Sequence, residues 1–314
     1  MPSTGYPYRI QGLRVNRREV LRYAVVAGVG LVAIPLIGCG GEDEAKERKT
    51  STPVATAVPP SGFFDSDGVK IHYETFGEGH PIILVHGITG DLKVTWVDTG
   101  WVEALRPLRR VVALDCRGHG QSDKPHDAEA YAGDKMSRDI LNLMDYLGIE
   151  KADLFGYSMG AFISLDLLAH HSERFTSVIL GGVGKGFTFD SPEQIRAISD
   201  AYLTEDPSTI TDPWGKGFRE AAAMLPDNDF EALAACVLHL GEPIDLPALA
   251  AVDIPVLIVD GADDILVREP EDLKTAIPGA DLVTIAGRDH ATVVVDQRFK
   301  DAVVAFLKEQ AGGA

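Results

Sequence analysis

Cysteine is scarce in this 314-residue chain, which has three, too few for the disulfide framework of a small secreted domain. Beyond Cys39 only Cys116 and Cys236 remain, one pair at most. Cys116 falls in a turn and Cys236 in a helical stretch, so two free, buried thiols are expected. Basic residues are also few, 29 against 47 acidic, for a net charge of −18. A field of that sign disfavours nucleic acid and anionic membrane surfaces as partners and favours solubility. The uncharged stretch near the start, Tyr23 to Gly38, is 16 residues long and contains Gly28, Gly30 and Pro35, which is short for a helix that must cross about 30 Å of hydrocarbon. No internal repeat is visible. Low hydrophobicity, the mark of a disordered chain, is absent: 45% of residues are hydrophobic, enough for one large domain with a full core.

The first 38 residues stand apart from that domain. Asn16-Arg17-Arg18-Glu19-Val20-Leu21-Arg22 precedes the uncharged stretch, and Leu36-Ile37-Gly38-Cys39 closes it with small residues before a cysteine, the layout of an export signal. The paired arginines resemble a twin-arginine signal, which would imply export of an already folded protein. The tetrad ending at Cys39 resembles a bacterial lipoprotein box, which implies acylation of that cysteine, a lipid anchor as the sole membrane contact, and a place in the cell envelope outside the cytoplasm. The segment carries five arginines and one glutamate, so the remaining chain has a net charge of −22. Residues 39–61 are charged, then rich in Thr, Pro, Ala and Val without apolar period, and read as a flexible tether spanning roughly 25 Å. The folded part is expected over 62–314.

Within it, Val69 to Phe76 alternates like a half-exposed strand, while Pro81 to Val85, Arg110 to Leu114, Ala152 to Phe155, Ser177 to Gly182, Ile254 to Val259 and Leu282 to Ile285 are short apolar runs of the kind that form buried parallel strands. Asp134 to Leu147 sets Met136, Ile140, Leu143, Met144 and Leu147 on one helical face, ended by Gly148. Further helices are expected near Glu271 to Ala276 and from about Val294 to Glu309. Strand and helix alternate, which predicts an α/β fold with a mostly parallel, doubly wound sheet. Residues 185–252 break the rhythm and read as a small helical cap, several short helices with Pro207, Pro213, Pro226, Pro243 and Pro247 between them. Its apolar residues, Ile195, Ile198, Tyr202, Trp214, Phe218, Leu225, Phe230 and Leu233 among them, are expected mainly to pack the cap.

Gly156-Tyr157-Ser158-Met159-Gly160 sits between an apolar strand and a helix. A serine at the tip of so sharp a turn has strained backbone angles, and small residues two before and two after remove the clash. Serine is a weak nucleophile until a base takes its proton and an acid holds that base. In an open parallel sheet functional loops gather at the carboxyl ends of strands. Two such loops carry the needed groups, Asp260-Gly261-Ala262-Asp263-Asp264 and Ala286-Gly287-Arg288-Asp289-His290. His290 is the base candidate, and Asp264 is favoured for the acid over Asp263 and Asp260. Oxyanion donors are expected from the amides of Met159, at the helix start, and of Ile88 in His86-Gly87-Ile88-Thr89-Gly90. His86, at a strand end beside glycine, is expected to orient that loop.

These motifs, together with Asp115-Cys116-Arg117-Gly118-His119-Gly120-Gln121-Ser122-Asp123, resemble the α/β hydrolase superfamily, in its broad esterase, lipase and perhydrolase branch. The resemblance covers residues 62–314 and implies Ser158 as nucleophile, His290 as base with Asp264, Ile88 and Met159 as oxyanion donors, and a structural turn around Arg117 and His119. Serine at the elbow speaks against the branches that form an ester with an aspartate, and Ala161 replaces a glycine many relatives have. The expected activity is hydrolysis of carboxylic esters or thioesters with an apolar acyl group, without metal or cofactor. Cleavage of C–C bonds, amide hydrolysis or cofactor-free perhydrolysis would use the same three residues. A non-catalytic protein binding a small ligand in the cap pocket is the alternative of another class. Oligomeric state is left open.

Overall fold

A computed structural model describes residues 60–189, 191–240 and 244–312. The expected signal segment, Cys39 and the tether up to residue 59 lie outside the described residues.

Eight strands make one sheet. In chain order the strands are β1 (Ser61–Ser66), β2 (Val69–Phe76), β3 (Pro81–Val85), β4 (Arg110–Leu114), β5 (Ala152–Tyr157), β6 (Phe175–Gly181), the two-residue β7 (Gly186–Phe187), β8 (Val256–Gly261), the two-residue β9 (Val267–Arg268) and β10 (Asp281–Ile285). The large sheet has the order β1-β2-β4-β3-β5-β6-β8-β10, and β7 pairs with β9 separately. Six strands from β4 to β10 run parallel, while β1 and β2 form an antiparallel edge. The apolar runs are short and continuous because both faces are covered. Alternate residues of a strand enter different cores: Ile83 and Val85 pack with Met136, Ile140, Leu143 and Leu167, while Ile82 and Leu84 pack with Trp101, Leu105, Phe299 and Leu307. The first group comes from the helices Lys135–Tyr146 and Met159–His171, the second from Trp101–Leu105 and Gln297–Gly312. Helices therefore cover both faces of the sheet, the α/β hydrolase architecture.

Three sequence expectations need correction. β1 was not expected as a strand, yet it pairs with β2 from Ser61↔Glu74 to Ser66↔Val69. The last helix, expected from about Val294, begins at Gln297 and runs to Gly312, and a separate one-turn helix, His290–Val293, precedes it. The break lies at Asp296, whose carboxylate accepts from the Arg298 amide at 2.8 Å and from its guanidinium at 2.9 Å, and pairs also with Arg288. Between β6 and β8, Pro226 separates two helices as expected and Pro243 lies outside the described residues, but other prolines stand at helix starts instead. Pro192 and Pro213 stand in the first turns of Pro192–Leu203 and Pro213–Ala222, and Pro247 in that of Leu246–Leu249. The preceding Ser191, Asp212 and Asp245 accept hydrogen bonds from first-turn amides, the usual pairing of a polar cap with a proline that lacks the amide it would leave unpaired.

This helical insert is tied to the sheet by aromatic rings. Phe162, on the helix that follows Ser158, packs on Phe187 at 4.3 Å between centroids, Phe187 stacks on Phe189 at 4.7 Å, and Phe189 meets Phe218 edge-on at 5.0 Å. Ile195, Ile198, Tyr202 and Leu233 are buried, and Trp214, Phe218 and Phe230 are partly buried against the same core.

Candidate active site

The turn from β5 into Met159–His171 forces Ser158 to φ +54°, a region that costs a side chain of order 1–2 kcal/mol. Close packing holds it there. A Cβ on Gly156 would stand 2.1 Å from the Gly160 carbonyl oxygen, and a Cβ on Gly160 would stand 2.0 Å from that of Val85. The Ser158 amide donates to Gly181 at 2.8 Å, tying the elbow to β6. The Ala161 methyl is buried in the core under the helix.

His290 begins the one-turn helix His290–Val293 just beyond β10, with Asp289 as its cap: the Asp289 carboxylate accepts from the Thr292 amide at 2.9 Å. Its Nε2 is 2.9 Å from Ser158 Oγ, and its Nδ1 is 2.7 Å from Asp264 Oδ2. A carboxylate only accepts, so the hydrogen on that side belongs to Nδ1, leaving Nε2 free to accept from the serine hydroxyl. Asp264 is held in turn by the Leu266 amide, 2.9 Å from Oδ1, and its side chain is 1% exposed. Serine, imidazole and carboxylate, widely separated in sequence, make one unbroken chain of contacts.

The two rival carboxylates lie elsewhere. Asp263 is exposed. Asp260 is buried, with Oδ1 accepting from the Val183 amide at 2.9 Å and Oδ2 without a partner. Burial first, then the charges of Asp264 and Glu271, push its carboxyl well above the ordinary range.

Ile88 lies in a turn closed by the Gly90 amide on the Gly87 carbonyl at 3.2 Å. This turn abuts Ser158, since a Cβ on Gly87 would stand 3.1 Å from Ser158 Cβ. Met159 is the first residue of its helix, and its side chain is buried. His86 is wholly buried, with Nδ1 2.8 Å from the Gly87 carbonyl and Nε2 accepting from the Cys116 amide at 2.9 Å; burial holds it below its ordinary pKa. Beneath lies a scaffold. Asp115 accepts from the amides of Leu92 and Gln121, and Arg117 makes a two-pronged pair with Asp139 at 2.7 Å. His119 is buried and, chiefly by that burial, held down to about 3. Cys116 and Cys236 are free and buried.

Two contacts to these elements were not foreseen in the sequence. The Tyr157 hydroxyl donates to the main-chain carbonyl of His290, joining β5 to the loop after β10. The Asn228 amide, from the helical insert, donates to the Thr89 carbonyl at 2.9 Å. Among the described residues no group of three or more His, Cys, Asp or Glu side chains is placed to hold a metal.

The profile of the α/β hydrolase fold family matches residues 80–235. The chain belongs to the α/β hydrolase superfamily. It is 35% identical over 300 residues to an uncharacterized protein of Mycobacterium bovis, covering 83% of this chain and 85% of the relative. It is 27% identical over 270 residues to a 2-hydroxymuconate semialdehyde hydrolase of Pseudomonas putida, covering 77% of this chain and 92% of that enzyme. Among solved structures, the enol-lactonase from Burkholderia xenovorans superposes with a TM-score of 0.68 at 25% identity, over 79% of this chain and all of that one. Its α/β hydrolase relatives are hydrolases, so an enzyme is the expectation for this member too.

Proposed function

We propose that this protein is a serine hydrolase of carboxylic esters, lactones and thioesters included, with Ser158 as nucleophile, His290 as general base and acid, and Asp264 as the carboxylate that orients and offsets the imidazole. The observation that carries the reading is the pair of contacts on His290, 2.9 Å to Ser158 Oγ and 2.7 Å to Asp264 Oδ2. Ser158 Oγ attacks the carbonyl carbon while its proton passes to His290 Nε2, and the new oxyanion is held by the amides of Ile88 and Met159. Collapse of the tetrahedral species breaks the bond to the leaving alcohol, which takes the proton from Nε2. Water then attacks the acyl-serine, giving its proton to His290, and as this second tetrahedral species collapses His290 returns that proton to Ser158 Oγ, breaking the acyl bond and releasing the acid. The helical insert is read as a cap over this site, and no cofactor enters the scheme.

The test is covalent labelling by a fluorophosphonate, together with turnover of p-nitrophenyl esters of graded chain length and of simple lactones. Labelling that Ser158→Ala abolishes, with turnover of at least one ester or lactone, is the expected result. A protein that neither labels nor turns over any of them is a binding protein instead. A second reading comes from the relative named for 2-hydroxymuconate semialdehyde, a substrate without an ester, whose hydrolysis cuts a carbon–carbon bond. Labelling without turnover of any ester or lactone points there.

The same proposal places the enzyme outside the cytoplasm on a lipid tether. It is supported by the paired arginines 17 and 18 and the tetrad ending at Cys39. Metabolic labelling with a radioactive fatty acid should mark the protein in a bacterial host with lipoprotein processing, and Cys39→Ser should remove the mark; a wild-type chain that takes up no label rules the anchor out.

A further inference from the structure

We propose that Asn228 is a positioning residue for the oxyanion turn, through which the helical insert governs the rate of the chemical step. The inference rests on the serine-hydrolase reading above. Asn228 lies between the helices Pro213–Ala222 and Phe230–Val237, is half-buried, and spends both hydrogens of its side-chain amide on backbone carbonyls: Thr89 at 2.9 Å, 139 residues away, and Ala222 at 3.1 Å. The first acceptor belongs to the turn that carries Ile88, the second to the end of an insert helix. One side chain thus pins the turn to the insert.

The turn needs a clamp. Thr89 occupies its third position with φ +67°, the conformation of a type II turn, where glycine or asparagine is favoured. A β-branched residue there is strained, and such strain persists only where the surroundings over-determine it. Relaxing to a type I turn would flip the Ile88–Thr89 peptide and drag the adjoining Gly87–Ile88 amide, the one aimed at the oxyanion. There is little slack for such a shift, because Gly87 packs directly against Ser158. An oxyanion donor acts through its preset aim, so a turn that wavers loses rate in the transition state while ground-state binding survives.

The bland account is that Asn228 only caps the helix ending at Ala222, in which case its loss lowers stability and leaves kcat alone. The experiment is steady-state kinetics of Asn228→Ala, Thr89→Gly and their combination on a p-nitrophenyl ester that the wild type turns over, with the affinity of each for a trifluoromethyl ketone, whose serine adduct places an oxyanion in the hole. Removing one oxyanion donor outright costs about 10² to 10³ in rate, so loosening one should cost roughly tenfold in kcat. We expect that loss in Asn228→Ala with KM changed less than about twofold, and a parallel loss in ketone affinity. In the Thr89→Gly background, where the turn is relaxed without help, the Asn228→Ala effect should shrink to about threefold or less. Unchanged kcat in Asn228→Ala, or an equal loss in both backgrounds, overturns the proposal. If Asn228→Ala does not fold, Asn228→Gln takes its place: it keeps the amide but overshoots the carbonyls, and a kcat equal to wild type again overturns it. A wild type inert to esters, lactones and the fluorophosphonate overturns the serine-hydrolase reading and this one together, whereas an active wild type with an indifferent Asn228 overturns this one alone.

Discussion

Two acidic side chains leave the end of β8 within five residues of each other, and their surroundings set them apart. Asp264 accepts from His290 Nδ1 and the Leu266 amide and is the carboxylate of the proposed triad. Asp260 has one oxygen on the Val183 amide and one with no partner, and burial raises its pKa well above the ordinary carboxylate range. Asp264→Asn puts an amide opposite His290 Nδ1, favours the wrong tautomer and removes the charge that offsets the imidazolium; the loss known for that change in a serine protease is about 10⁴ in kcat, near 5.4 kcal/mol at 1.36 kcal/mol per decade. Asp260→Asn changes a group that holds the Val183 amide and touches neither His290 nor Ser158, and its kcat should stay within about threefold of wild type.

Stability carries the same argument with a sign. The folded chain keeps a proton on Asp260 that the unfolded chain releases above about pH 3.9, so this residue weakens the fold as pH rises from there toward its raised folded value, by up to about 1.4 kcal/mol per pH unit. The asparagine variant cannot titrate. Its stability relative to wild type should therefore climb as pH rises above about 4, read by urea unfolding at several pH values, while the two converge in acid. An Asp260→Asn enzyme that loses 10³ in kcat while Asp264→Asn stays active would exchange the two roles, and a flat difference in stability across that range would refute the protonated state.

Asp153→Ala strips a buried partner from Arg109, whose Nε lies 2.6 Å from the carboxylate with side chains 8% and 2% exposed; a buried pair broken on one side costs about 3–5 kcal/mol, which thermal unfolding should read as a drop of roughly 10 °C. Glu103→Ala, which breaks the exposed pair with Arg106, should by contrast change stability by less than about 1 kcal/mol. Tyr157→Phe removes the donor to the His290 carbonyl; with a net hydrogen bond worth about 1 kcal/mol, kcat should fall roughly fivefold at constant KM, and an unchanged kcat would mean that the base loop holds itself.

What can be read from a sequence depends on where the causes sit. The buried strands were legible because covering both sheet faces leaves a run such as Ile82-Ile83-Leu84-Val85 with no polar position, a local signature. β1 was not, since only two of its six residues are buried; its signal was the Asp67-Gly68 pair, whose φ values of +54° and +85° suit the two-residue turn that joins antiparallel strands. The break at Asp296 escaped notice because it depends on two arginines folding back on one carboxylate. Site residues divide the same way. Ser158, Asp264 and His290 were found as strand-end residues of the right chemical types, and topology alone brings such ends to one rim. Asp264 was favoured over Asp260 from the loop alone, but the inward turn of Asp260 to Val183 was not legible there, and the contacts of Tyr157 and Asn228 join residues 133 and 139 positions apart with no motif at either end. Roles set by strand order can be read from spacing, then, whereas roles set by side-chain reach cannot. The groups that tune a site of this kind, as distinct from those that perform its chemistry, are consequently the ones a motif search passes over, and the insert between β6 and β8, where Asn228 lies, is where more of them should be sought.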